Sequence, residues 1–238
     1  VFKGRTARGI ELWVDKPYTE LSSTFIQLLS HALSPAIRRC GVFEIHSAAV
    51  IPPESSQAIM IAGPSGSGKS TLTSQLANAG WAYLSDDILL LRDADDLVEI
   101  HAFRRFFALT GDTMEAISLT SPKNVPATLK QRVNPQDHFI GAPVERARPA
   151  AIVFPTVTRQ KQSRLDQLTS AETMSRLLRL CPWASYDKPT SVEHLRLLGR
   201  LASTTRGFEL WAGTDILTEP DITREMFYNV AGDSVVAN

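Results

Sequence analysis

The stretch Gly63-Pro-Ser-Gly-Ser-Gly-Lys69-Ser70 constrains this chain more than any other. It has the spacing G-x-x-x-x-G-K-S/T, a loop whose backbone N–H groups must turn toward one point. Residues without a Cβ reach the required dihedrals at the least cost. Ala58–Ala62, just before the loop, is a short apolar run of the kind that forms a buried strand. Ser70 to Asn78, just after it, carries Leu72 and Leu76 at helical spacing and meets a stop at Gly80. The local order is therefore strand, tight loop, helix. Such a junction favours an anion, because unpaired N–H groups and the helix macrodipole point at the same place.

The anion this spacing fits is the phosphate chain of a nucleoside triphosphate. Gly63, Pro64, Ser65, Gly66, Ser67, Gly68, Lys69, Ser70 and Thr71 are the expected ATP-binding residues. Lys69 would place its charge on the outer phosphates, and the Ser70 hydroxyl would ligate Mg²⁺.

The 238 residues carry 25 basic and 25 acidic side chains, so there is no global charge to draw the chain to nucleic acid. No apolar run approaches the roughly 18 residues that suggest a membrane span. Cys40 and Cys181 lie too far apart in sequence to form a metal or redox motif. They read as reduced thiols, which points to the cytoplasm.

Further expectations follow from pattern. Strands are expected at Ile10–Val14, Phe43–Val50, Trp81–Leu84, Ile88–Leu91, Val98–Phe103, Ala150–Phe154 (stopped by Pro155) and Phe208–Ala212. Helices are expected over Leu21–Arg39, near Asp112–Ser118, from a capping box at Thr169-Ser-Ala-Glu172 through Leu180, over Ser191–Ser203 and near Ile222–Val230. Arg92–Asp96 reads as a charged turn, and Ser121–Val144 has several prolines and reads as irregular. The strands at Phe43–Val50 and Ala58–Ala62 are too close in sequence for a parallel crossover and should pair antiparallel. The sum is an α/β fold, a mixed sheet flanked by helices. It reads as one domain over 1–238, with 1–42 as an extension packed on a core of 43–238.

Asp86-Asp87 ends the strand after the loop's helix, where an open α/β sheet gathers its ligands. Two adjacent carboxylates there call for a cation, and Mg²⁺ supplies it. His46, one strand upstream, is placed to bond phosphate or to orient a carboxylate. Arg105 follows the Val98–Phe103 strand, and an arginine fork matches phosphate. Lys130 and Arg132, in the proline-containing segment, are candidates to help hold an acceptor, with plain solvent exposure the favoured reading.

Three segments in order, His46-Ser-Ala-Ala-Val50, Gly63–Thr71 and Gly80-Trp-Ala-Tyr-Leu-Ser-Asp-Asp87, together resemble the core of the HPr kinase/phosphorylase-related proteins. That family is similar to phosphoenolpyruvate carboxykinase in its nucleotide-binding core. The resemblance implies a P-loop core, ATP and Mg²⁺, with Asp86 as general base on an acceptor serine and Asp87 assisting Ser70 at the metal. It makes His46, Lys69 and Arg105 catalytic partners.

The acceptor implied is a serine, or other, hydroxyl on a peptide or small protein, because the chain is similar to stand-alone relatives. Some of those modify natural-product precursor peptides, including lasso peptides. HPr itself, a small molecule, or no acceptor at all (an ATPase or switch module) remain alternatives. No nucleic acid and no membrane are expected as partners, and a homo-oligomer is compatible with the family.

Overall fold

A computed structural model describes residues 2–5, 9–12, 33–103, 106–119, 126 and 128–232. The chain begins with a two-stranded antiparallel pair, β1 (Phe2–Arg5) and β2 (Gly9–Leu12). Residues 33–39 are helical, α1. The earlier part of the expected Leu21–Arg39 helix, the end of the expected Ile10–Val14 strand and Arg105 lie outside the described residues.

From there the order is β3 (Val42–Ile51), β4 (Gln57–Ala62), α2 (Lys69–Asn78), β5 (Ala82–Ser85), β6 (Ile88–Ala94), β7 (Leu97–Ala102), β8 (Phe107–Leu109), α3 (Gly111–Ala116) and β9 (Gln131–Val133). Then come β10 (Arg146–Val157), β11 (Arg164–Leu168), α4 (Ser170–Leu180), α5 (Trp183–Tyr186), α6 (Ser191–Thr204), β12 (Arg206–Ala212), α7 (Asp215–Thr218) and α8 (Pro220–Ala231).

The large mixed sheet has the order β11-β12-β10-β4-β3-β6-β7, with β5 beside β3. β3 and β4 pair antiparallel, as their short connection requires. β10 changes neighbours along its length. Arg146 and Ala147 pair with β7, and from Arg148 onward the strand pairs parallel with β4. The strands β10, β4, β3, β6 and β7 thereby close into a circuit.

Alternation along the strands divides the core into two layers. Ile59 and Ile61 of β4 join Ala48 and Val50 of β3 under α2 and α8, through Leu72, Leu76, Phe227 and Val230. Ala58, Met60 and Ala62 face the other way, with Ala49 and Ile51, onto α4 and α6 through Leu177, Leu197 and Leu201. Strands covered on both faces must be apolar at nearly every position, as β4 is after Gln57 and β3 is over Ala48–Ile51.

Several sequence expectations change. Pro155 does not stop its strand, because β10 continues to Val157. By that point β10 has passed its last register with β4 and pairs β12 alone, an edge-like position that tolerates proline. Arg92–Asp96 is not one charged turn. β6 runs to Ala94, and only Asp95 and Asp96, both at positive φ (49° and 68°), make the hairpin. Within the segment read as irregular, β9 pairs with β8 as a small antiparallel ribbon. β11 had no strong sequence signal and forms by pairing with β12.

The sheet directions place the site. β4, β10 and β12 are mutually parallel, and β5, antiparallel to β3, runs with them. The carboxyl ends of all four strands meet at one rim, where α/β sheets bind ligands.

Candidate active site

The glycine loop leaves the end of β4 at that rim. Gly66 (φ 84°) and Gly68 (φ 96°) occupy the left-handed region, and Gly68 caps the start of α2. At Gly63 the limit is space, since an added Cβ would lie 2.6 Å from the Ser67 hydroxyl. Pro64, Ser65 and Gly66 form the exposed tip, whereas Ser67 is buried with its hydroxyl unpartnered among the described residues.

Lys69 is buried and folds back across the loop, donating from Nζ to the carbonyls of Gly63 (2.8 Å) and Pro64 (2.9 Å). Burial lowers its pKa to about 8; Asp87 opposes that shift, Lys130 adds to it and Asp86 opposes it. The two carbonyls hold the ammonium at the mouth of the loop, where a phosphate oxygen can replace them.

The acidic pair separates in space. Asp86 is 1% exposed, and its Oδ2 accepts the Ala108 backbone N–H at 2.9 Å. Its Oδ1 is buried without a partner of normal hydrogen-bond geometry among the described residues. Burial raises the Asp86 pKa, opposed by the Ala108 N–H; Asp87 raises it further, and the nearby Ser70 hydroxyl and Lys130 favour the anion. Asp87 points the other way, into the cavity, and its Oδ1 accepts from His46 Nε2 at 2.7 Å. Both lie in the bend between β5 and β6, where one carboxylate is interior and the other is on the wall.

The cavity beside the loop has a volume of about 260 Å³. Gly68, Lys69, Ser70 and Asp87 line one part of it, with Thr110 and Lys130 alongside. Val157 and Leu217, both substantially exposed, give it an apolar end. Thr71 reaches Thr113 of α3 (Oγ1···Oγ1 2.8 Å), which ties the loop helix to the segment after β8.

Of the residues expected at the site, Gly66, Gly68, Lys69, Ser70, Thr71 and Asp87 therefore share one cavity. Asp86 stands behind it, and His46 joins through Asp87. The pattern did not single out Thr110, Thr113 or the Ala108 N–H. They arrive through the β8–β9 ribbon and α3, whose positions no local signal encodes.

Among the described residues no group of three His, Cys, Asp or Glu gathers as a metal cage. Mg²⁺ does not need one, since it keeps several waters and takes one or two protein oxygens. The residues present fit that ion. The buried Asp86 carboxylate, whose Oδ1 has no hydrogen-bond partner among the described residues, lies near the Ser70 hydroxyl, and a second carboxylate is adjacent.

No protein-family model matches this chain. No curated protein matches it in sequence. Among solved structures, the HPr(Ser) kinase/phosphatase from Coxiella burnetii is similar at 9% identity and a TM-score of 0.40, covering 79% of this chain and 99% of that one. A likeness of that size carries across no residue role and no activity. No helix among the described residues is long and apolar enough to cross a membrane.

Proposed function

We propose that this chain is an ATP-dependent phosphotransferase that places the γ-phosphate on a hydroxyl. The observation that carries the reading is the meeting of the glycine loop with a divided acidic pair. Lys69 and Ser70 share a cavity with Asp87, while Asp86 is buried next to Ser70. The acceptor in this reading is a serine hydroxyl of a peptide or small protein, a natural-product precursor peptide included. The three sequence segments that resemble the HPr kinase-related proteins support that choice.

The loop amides and Lys69 would hold the β- and γ-phosphates, and Mg²⁺ held by Ser70 and a carboxylate would supply charge neutralisation. The acceptor oxygen attacks the γ-phosphorus, the bond to the β,γ-bridging oxygen breaks, and ADP leaves. The hydroxyl proton passes to a carboxylate. Phosphoryl transfer asks little more of a protein than position and charge.

The positions favour a division of labour opposite to the one the resemblance implies. Asp87 faces the cavity and is oriented by His46, so it is the carboxylate an acceptor can reach. Asp86 is enclosed near Ser70, the position of a metal-side carboxylate.

The test is phosphate transfer from labelled ATP to candidate peptides and metabolites, resolved by mass spectrometry. Asp87→Asn should still bind nucleotide and lose about a hundredfold or more in transfer rate. Asp86→Asn should raise the Mg²⁺ concentration required for half-maximal rate. An Asp87→Asn enzyme that transfers at the normal rate removes Asp87 from proton transfer. Rapid ATP hydrolysis that no acceptor diverts makes the protein an ATPase instead.

A further inference from the structure

Lys130 has no place in the glycine-loop pattern, yet it lines the same cavity as Lys69, Ser70 and Asp87. It immediately precedes β9, whose Gln131 is in register with Leu109 of β8. β8 is in turn fixed to the acidic pair, because the Ala108 N–H donates to Asp86 Oδ2 at 2.9 Å. The hydrogen bond that leaves Asp86 with one unpartnered oxygen thus also anchors the ribbon that carries Lys130.

The local charge balance gives that position a purpose. Asp87 and Asp112 lie on the cavity wall with Asp86 behind them, against Lys69 and Lys130. Among the described residues that line the cavity, Lys69 and Lys130 are the lysines, and the site must receive a polyanion. Lys69 belongs to the loop and is shared by every phosphate the loop holds. Lys130 comes from a separate element, just before β9, and shares the cavity with Asp87, the carboxylate that an acceptor hydroxyl can reach.

We propose that Lys130 is a second cation for the terminal phosphate, delivered across the cavity by the β8–β9 ribbon, and that it makes the site discriminate a nucleoside triphosphate from a diphosphate. The proposal rests on the nucleotide-binding reading above. Lys130 is exposed, so its replacement removes a charge and leaves the packing intact. Its effect is electrostatic and therefore screened by salt.

Calorimetric titration with Mg²⁺ and two probes, ADP and the β,γ-imido analogue of ATP, tests it. Lys130→Gln should weaken the triphosphate analogue about tenfold and ADP less than about twofold. Lys130→Arg should recover most of the loss, and the gap between the two nucleotides should narrow as salt rises. A Lys130→Gln protein that binds both probes as the parent does, or that loses both equally, overturns the proposal and leaves the phosphotransferase reading standing. A parent chain that binds neither probe removes both. Unchanged melting of the two variants shows that the comparison is between folded proteins.

Discussion

At the scale of the residue, two glycines outside the phosphate loop show how differently the same side chain can be required. Gly141 donates its N–H to the Ala77 carbonyl at the end of α2, at 2.9 Å. A Cβ there would sit 1.8 Å from the Trp81 carbonyl oxygen and 3.0 Å from that of Ala77. Both obstacles are backbone and cannot rotate away. Gly141→Ala should cost on the order of 3 kcal/mol, read by chemical denaturation. Gly199, inside α6, meets nothing within 4 Å. Gly199→Ala should stabilise the protein by about 0.5–1 kcal/mol, because alanine loses less backbone entropy in a helix. Equal responses at the two positions would contradict the close approach at Gly141.

At the scale of the element, α4 is the helix whose start is written most fully in its own sequence. The Thr169 hydroxyl accepts from the Glu172 N–H, and Glu172 Oε2 accepts from the Thr169 N–H at 2.8 Å. Two of the orphan donors at the helix start are satisfied reciprocally. The helix buries Thr173 and Leu177, the latter in the core layer shared with α6. Thr169→Ala removes one partner and should lower the melting midpoint by about 2–4 °C in a chain of this size. Transfer activity should not change, because α4 lines no part of the cavity. The β8–β9 ribbon is the opposite case. Its strands are three residues each and have little stability alone. The ribbon holds its place through the Phe107 ring against Tyr83 and Phe139 and through the Asp86 hydrogen bond.

At the scale of the whole molecule, the second core layer closes over a buried histidine. His194 of α6 is 1% exposed and stacks on Phe43 of β3, with ring centroids 4.4 Å apart. Neither ring nitrogen has a hydrogen-bond partner among the described residues. Burial, and then the Arg38 guanidinium, lower its pKa from 6.5 to about 4, against a smaller opposing effect of Asp187. Arg38 is itself buried and bonds both Glu44 and Asp187. A folded pKa below the unfolded one means that the unfolded chain takes up the proton first as pH falls. This histidine therefore withdraws stability progressively between pH 6.5 and about 4, by roughly 3 kcal/mol in total. His194→Leu should flatten that part of the stability–pH curve measured by urea denaturation. An unchanged slope would mean that the histidine charges without resistance.

The chain determined by itself whatever depends on neighbours in sequence. Strand, glycine loop and helix at 58–78 follow from an apolar run, from glycines able to adopt positive φ and from leucines at helical spacing. The antiparallel pairing of β3 and β4 follows from a connection too short for anything else. The acidic pair was placed at the rim because it ends the strand after the loop's helix. Tertiary structure alone decided which of the two aspartates faces the cavity. The two lie in the bend between β5 and β6, and the Ala108 N–H of β8 holds Asp86 on the interior side. It also carried Pro155 through a strand by leaving that stretch of β10 with one neighbour instead of two. Lys130 was legible as a candidate to help hold an acceptor, in a proline-containing stretch where solvent exposure was the favoured reading. A ribbon that pairs across more than twenty residues brings it to the loop, and pairing at that separation is paid for by contacts no local pattern records.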